Sequence, residues 1–438
     1  MRRTRAGEHP AIGPAPVPPH NTREAHASSG PRGGPDTDTA TAVPWHPDTV
    51  DADVPGAVGR VLDTVLRERV TQASALDLAF GADVAERVAR FTRHGGKRMR
   101  PQFLWWALRG CGGGHHPAEA ETALRIGAAL ELIQTCALVH DDVMDASALR
   151  RGRPALHVDL AAQYAGPVGR RAGALGEAGA ILAGDLALAW ADDVVADLVA
   201  DPGTPPAVRR VWRAMRTEMV AGQYLDLLDQ ATASGSMARA VRAACLKSAR
   251  YSVERPLALG AALAGADAAT TDALCAAGRC AGVAFQLRDD LLGVFGDPRG
   301  TGKPSGDDIR EGKRTYLVAV ARARATQAGD RTAVEVLDRC LGDGGLTEGQ
   351  LAEVRHVLTA TGARTAVENR IERLAARSAQ HLAAAGLLPS VRGRLHALMR
   401  TAAGVTTPGR DDPAEPQPNG DEDPTACLTG AGAAGGTR

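Results

Sequence analysis

The chain has 438 residues, with 51 Lys and Arg set against 51 Asp and Glu, so its formal net charge is zero. That balance supplies no global field for nucleic acid or an anionic membrane, and the length admits one large domain or two smaller ones. The seven cysteines are scattered without a C-x-x-C pair, which argues against a zinc ribbon and fits reduced thiols in the cytoplasm.

In chain order, residues 1–50 come first. They are rich in Pro, Gly, Thr and His and lack apolar periodicity, so a disordered tail is expected there. Met1-Arg2-Arg3-Thr4-Arg5 opens the chain without the apolar stretch of a secretory signal. Residues 51–403 are the expected folded domain, and residues 404–438 a second disordered tail. Ala, Leu, Val and Arg dominate the domain, and aromatic residues make up only 3% of the chain. Strong helix formers are common and period-two strand patterns scarce, which predicts an all-α fold. Thr122–Val139 is nearly continuous in its apolarity, as expected of a helix buried on most sides at the centre of a bundle. No charge-free apolar run reaches the roughly 18–20 residues that cross a bilayer, so no transmembrane segment is expected.

The chemistry follows the same order. Gly95-Gly96-Lys97-Arg98-Met99-Arg100-Pro101 joins a glycine pair to three cations and a proline suited to a helix start. Glycines let backbone approach a ligand closely, and the cations suit phosphate. Asp141-Asp142-Val143-Met144-Asp145 is the first acidic cluster; in a helix Asp141 and Asp145 lie one turn apart on one face. Carboxylates so spaced suit Mg²⁺, a hard cation commonly shared with substrate phosphates. Arg150 and Arg151 follow within two turns, placing fixed positive charge beside the acids. His157 reads as a structural hydrogen-bonding residue. Gln223 and Asp226 share a helix face, and Lys247-Ser248 sets an ammonium beside a hydroxyl. Phe285-Gln286-Leu287-Arg288-Asp289-Asp290 leads into the second acidic cluster. Gly293, Gly296 and Pro298 predict that its helix ends before Asp297. Residues 301–313, with Lys303, Asp307, Asp308 and Lys313 among glycines, read as a mobile lid.

Taken together, these motifs resemble those of the trans-isoprenyl diphosphate synthases of the polyprenyl synthetase family, and most closely the bacterial geranylgeranyl diphosphate synthases. The likeness covers about residues 55–400. It rests on G-G-K-x-x-R-P, D-D-x-x-D-x-x-x-x-R-R-G-x-P, the Lys-Ser pair, F-Q-x-x-D-D and G-K…D-I-x-x-G-K-x-T. The resemblance implies an all-helical bundle around a deep central cavity, usually in a homodimer. It implies a Mg²⁺-dependent prenyltransferase, with three ions per site, that condenses isopentenyl diphosphate with an allylic diphosphate. Asp141, Asp142, Asp145, Asp289 and Asp290 would hold metal, and Arg150, Lys247 and Lys303, together with Lys313, would clamp the allylic diphosphate. Lys97, Arg100, Gln134 and Arg151 resemble the isopentenyl diphosphate site. Lys247, Ser248 and Gln286 would stabilise the allylic cation.

Three positions depart from the pattern. Gln134 stands where bacterial members often have His, Ser248 where Thr is usual, and Gly293 where many members carry a third Asp. A donor and a hydroxyl survive at the first two. At the third, Asp289 and Asp290 remain as the main acids, with Asp297 a possible outer contributor. A class I terpene cyclase would also ionise such diphosphates, but its N-D-x-x-S-x-x-x-E motif is not found and it needs no Lys97 and Arg100. A head-to-head condensing enzyme would lack G-G-K-x-x-R-P. A silent regulatory subunit fits poorly with five intact aspartates. Below Asp141, Cys136 and Ala137 are small and D-D-V-M-D carries no insertion, so a growing chain should pass this level. Geranylgeranyl diphosphate is the expected product, with a longer or a farnesyl product as the alternative.

Overall fold

The computed structural model describes residues 45–232, 237–297 and 305–405. Lys303 and nearly all of both expected tails lie outside the described residues. Within them the chain is helical apart from one two-stranded hairpin. The N-terminal half comprises α1 (Pro47–Ala52), α2 (Val54–Leu76), α3 (Glu86–Arg93), α4 (Met99–Gly110) and α5 (Pro117–Met144). The hairpin β1 (Leu149–Arg150) and β2 (Arg153–Pro154) follows, then α6 (Leu156–Val168), α7 (Ala172–Ala200), α8 (Pro206–Thr232) and α9 (Met237–Ala244). A π-helix, Cys245–Glu254, leads into α10 (Arg255–Leu263) and α11 (Ala268–Phe295). The last elements are α12 (Asp307–Arg310), α13 (Tyr316–Ala328), α14 (Arg331–Cys340), α15 (Glu348–Ala360), α16 (Ala363–Ala384) and α17 (Pro389–Ala402).

Helix α5 occupies the centre that its sequence implied. Pro117 stands at its start, where a missing N–H costs nothing, and Leu124, Ile126, Leu130, Leu132 and Ile133 are fully buried. It packs chiefly on α7, with α4 and α2 on its other sides. A second apolar cluster joins α11 to α13–α16, so α11 serves both halves of the core. Its Asp267 cap accepts from Thr270 N at 2.7 Å, and Gly296 closes it, leaving exposed Asp297 in the loop beyond, as the glycines predicted.

Two expectations about order are corrected. The N-terminal tail was expected to run to residue 50, but α1 starts at Pro47 and buries Val50 completely. The apolar signal there is sparse, Trp45 and Val50 five positions apart with Pro47 between them, and shows no helical repeat among the surrounding Pro and Thr. Residues 305–313 are not a loose lid either. Gly306 N donates to Gly293 O at 2.7 Å, Ser305 Oγ to Val294 O at 3.1 Å, and Ile309 is buried. Gly306, at φ 88°, supplies the left-handed turn that starts α12.

Among the described residues two helical stretches are long and apolar enough to cross a membrane: Pro117–Met144 and Gly169–Ala200. Counting charge-free runs alone overlooks them, because each carries a few charges. Of their apolar windows 72% and 39% is buried, so the first is a core helix while the second leaves Leu175, Ile181 and Leu182 exposed.

Candidate active site

Helix α5 delivers the first acidic cluster. Asp141 and Asp142 close its last turn, and Asp145 caps it with its N–H on Asp141 O at 2.9 Å. Consecutive residues on a helix point about 100° apart, so the two adjacent aspartates cannot share one side. Asp141 faces the cavity. Its Oδ1 accepts from Lys247 Nζ at 2.9 Å and Gln223 Nε2 at 3.1 Å, and its Oδ2 from Arg150 Nη2 at 3.3 Å. Asp142 is fully buried, does not line the cavity, and accepts from Arg150 Nε at 2.7 Å. Its place is that of an anchor for Arg150, a departure from the ligand role expected of it. Asp145 also sits behind the cavity wall, ion-paired with Lys313 at 2.8 Å, while its Oδ1 is buried without a hydrogen bond.

The main cavity, about 590 Å³, is lined by Asp141, Arg150, Gln223, Asp226, Lys247, Ser248, Gln286, Asp289, Asp290, Asp308 and Lys313. The structure therefore brings both acidic clusters and the Lys-Ser pair to one space. Lys247 Nζ also meets Asp226 Oδ2 at 2.7 Å, and Lys313 meets Glu311 at 2.7 Å. Burial pulls the Asp141 carboxyl upward, but Lys247, Lys313 and Arg150 outweigh it and hold the group well below the usual carboxylate range. Burial likewise opposes charge on Lys247 and Lys313, and the carboxylates around each keep them protonated. Asp290 is the opposite case. Burial drives its carboxyl well up; the Gln286 hydrogen bond at 2.8 Å acts the other way without cancelling it, and Asp308 and Asp289 add to the rise.

Helix α4, its preceding loop and the hairpin build a second, smaller compartment of about 110 Å³. Lys97, Arg98, Arg100, Glu131, Gln134, Arg151 and Ser252 line it, so the four residues expected to share one diphosphate do converge. Arg100, Gln134, Ser252 and Phe285 line both compartments and form their common wall. Gln134 Oε1 and Arg100 Nε are buried without hydrogen bonds. Arg98 and Arg151 take up left-handed backbone, φ 48° and 54°, a strain of about 1–2 kcal/mol per residue for a side-chain-bearing residue. Arg151, with Gly152 at φ 72°, makes the tight turn of the hairpin, and its Nη1 donates to His94 O at 2.9 Å. A solvent-facing groove of about 730 Å³ adjoins this compartment and carries Arg87, Arg90 and Arg153 beside Arg150 and Arg151.

Sequence reasoning missed Glu131, Tyr251, Ser252 and Glu311. Glu131 had a signal, a lone carboxylate inside the apolar run Thr122–Val139. Burial raises its carboxyl, with Arg100, Arg98 and Arg151 acting the other way. Tyr251 and Ser252 lie on the π-helix, whose wider turn no spacing rule anticipates. Its close packing explains two glycines: a Cβ on Gly222 would come 2.3 Å from Lys247 N, and one on Gly282 2.5 Å from Ala249 Cα. His157 does not line the cavity; its Nδ1 is buried without a hydrogen bond, so the hydrogen-bonding role expected of it is not met through that atom.

Among the described residues no three His, Cys, Asp or Glu side chains gather closely enough to hold a metal ion. The ammonium groups of Lys247 and Lys313 stand among the acids instead. The donor set nonetheless fits a hard divalent cation. Asp141, Asp289, Asp290 and Asp308 face one cavity, and their carboxylates offer the oxygen donors that such a cation takes. One Cys/His pair lines the main cavity, with Cys136 Sγ 3.8 Å from His140 Nδ1, but burial pushes that thiol up to about 12, so it is not a poised thiolate nucleophile.

A family model described as polyprenyl synthetase matches residues 83–355. A geranylfarnesyl diphosphate synthase of Aeropyrum pernix is 34% identical over 247 residues, 56% of this chain and 70% of that one. A (2E,6E)-farnesyl diphosphate synthase of Mycobacterium tuberculosis is 34% identical over 273 residues, 61% of this chain and 68% of that one. A Corynebacterium glutamicum geranylgeranyl pyrophosphate synthase, solved with isoprenyl diphosphate and magnesium, superposes with a TM-score of 0.75. It is 37% identical, and the match covers 80% of this chain and 99% of that one.

Proposed function

The chain belongs to the polyprenyl synthetase family, and from that premise we propose that it condenses isopentenyl diphosphate head-to-tail with an allylic diphosphate, releasing inorganic diphosphate. The observation that carries this reading is the pair of compartments sharing the Arg100–Gln134 wall. A cyclase ionises one diphosphate and has no use for a second cationic chamber.

The acidic chamber receives the allylic substrate. Asp141, Asp289 and Asp290 are the candidate holders of Mg²⁺, three ions in our reading, with Asp145 and Asp308 in reach of the same cluster through Lys313. Bound there, the ions would draw electron density from the allylic diphosphate and weaken its C–O bond. Lys247, Arg150 and Lys313, which pair with carboxylates in this structure, would clamp the diphosphate. Ser248 and Gln286 present a hydroxyl and an amide dipole to the carbon that becomes positive. In the basic chamber Lys97, Arg100, Gln134 and Arg151 hold the diphosphate of the second substrate, whose double bond attacks across the common wall. The new bond leaves a tertiary cation that loses a proton, with the departing diphosphate as the nearest base.

Cys136 and Ala137 both line the acidic chamber, and both are small. That supports passage of a chain beyond fifteen carbons and geranylgeranyl diphosphate as the product. The named relatives make fifteen-, twenty- and twenty-five-carbon chains, so the family alone leaves the length open. The exposed apolar side of α7, with Leu175, Ile181 and Leu182, supports a homodimer in which a second copy covers it. Cys111, Cys136, Cys245, Cys275 and Cys340 carry free thiols, which supports a cytoplasmic setting. The test is incubation of the purified protein with Mg²⁺, labelled isopentenyl diphosphate and dimethylallyl, geranyl or farnesyl diphosphate in turn. A C20 prenyl diphosphate is expected. Cyclised hydrocarbon, or no elongation with any starter, would overturn the reading.

A further inference from the structure

Arg100 stands on the wall between the two chambers, and its guanidinium is held from the π-helix. Nη2 donates to Ser252 Oγ at 2.7 Å, and the guanidinium carbon lies 4.5 Å from the centre of the Tyr251 ring. Tyr251 is 2% exposed and Ser252 7%, so both contacts are shielded from water. Screened in this way, a charge-assisted hydrogen bond and a cation–π contact each count for more than at the surface. One edge of the guanidinium is thus fixed, while Nε remains buried without a partner; Gln134 Oε1, on the same wall, also has none. Glu131 lines the same compartment, yet no ion pair or hydrogen bond ties its carboxyl to Arg100.

The same π-helix carries Lys247 and Ser248 four residues earlier, where Lys247 contacts Asp141 in the other chamber. Gly222 lets this segment approach α8 closely at Lys247, and Gly282 lets it approach α11 at Ala249. One rigid turn therefore fixes a cation in each chamber.

We propose that Ser252 and the Tyr251 ring are positioning residues that aim Arg100 at the second diphosphate, and that the π-helix thereby sets the spacing between the two substrates. The proposal rests on the reading of the basic chamber as the isopentenyl diphosphate site. Ser252 touches neither reacting carbon; it acts through Arg100. Removing its hydroxyl frees Arg100 to rotate, so that binding in the basic chamber must first restore the guanidinium to its place. The Tyr251 hydroxyl has no hydrogen-bond partner and contributes nothing to this hold.

The experiment is steady-state kinetics of the full-length enzyme with each substrate varied in turn. Ser252→Ala should raise the KM for isopentenyl diphosphate about tenfold, the loss of one hydrogen bond to a charged group. The kcat and the KM for the allylic diphosphate should stay within about twofold, and Ser252→Thr should restore the wild-type value. Tyr251→Phe, which keeps the ring, should match wild type, whereas Tyr251→Leu should raise the same KM. Equal shifts in both KM values, no shift in a folded Ser252→Ala protein, or failure of threonine to rescue would overturn the proposal. An enzyme that elongates allylic diphosphates yet shows no Ser252 effect fails this inference alone. One that never uses isopentenyl diphosphate fails the reading beneath it. Should Ser252→Ala not fold, the Tyr251→Phe and Tyr251→Leu pair decides.

Discussion

The two chambers share a wall but are electrically opposite. In the acidic chamber the protein has already matched charge with charge: Lys247 lies against Asp141 and Asp226, and Lys313 against Asp145 and Glu311. In the basic chamber Lys97, Arg98, Arg100 and Arg151 face a single carboxylate, Glu131. The difference teaches how each must be filled. A bare diphosphate can enter the basic chamber and find cations waiting. The acidic chamber repels it until additional positive charge arrives to release the lysines, which is what divalent cations would bring.

The largest break in this contrast comes from removing acids. Asp141→Ala or Asp289→Ala should cut turnover at saturating Mg²⁺ by roughly a thousandfold, the scale of losing a main electrostatic contributor to the transition state. Circular dichroism should show the fold intact. Near wild-type turnover in folded Asp141→Ala would remove that residue from the metal site.

Next in size are the cations, which sort by chamber. Lys97→Ala and Arg100→Ala should raise the KM for isopentenyl diphosphate roughly ten- to a hundredfold, and Lys247→Ala should do the same for the allylic substrate. Equal effects on both substrates from all three would erase the division.

Product length probes the inner wall of the acidic chamber. Chromatography of the products of Ala137→Phe and Cys136→Phe should show shortening towards C15, because a helical turn rises about 5.4 Å, close to one extended isoprene unit. Unchanged products from both active variants would place the wall elsewhere.

The smallest expected effect is on stability. The folded pKa of Asp290 lies above its unfolded value, because burial and the neighbouring Asp308 and Asp289 disfavour its charge. Its contribution is therefore present below the unfolded carboxylate pKa and is lost as pH rises through the folded one. Metal-free Asp290→Asn should thus melt a few degrees above wild type at pH 7 and show little difference at pH 4. A lower melting temperature at pH 7 would contradict that sign.

Most of this was legible in the chain. The apolar run before Asp141 announced a central helix, and its adjacent arginines and aspartates announced the chemistry. Motif spacing brought together residues as distant as Asp141 and Asp289. What stayed hidden depends on direction rather than identity. Asp141 and Asp142 are the same residue type side by side, yet helical geometry sends one into the cavity and the other into a buried pair with Arg150. The hold of Ser252 on Arg100 spans 152 positions and passes through a π-helix, for which no local pattern exists. Residues 301–313 read as mobile from their three glycines; the described part, 305–313, is anchored by Gly306 N on Gly293 O and Ser305 Oγ on Val294 O, which composition does not reveal.

The contrast between the chambers is tested most directly by calorimetric binding of each substrate class with and without metal. Isopentenyl diphosphate should bind the full-length protein in EDTA about as well as in Mg²⁺. A non-ionisable allylic diphosphate analogue should bind only when Mg²⁺ is present. Equal metal dependence for the two ligands, or its absence for both, would contradict the account.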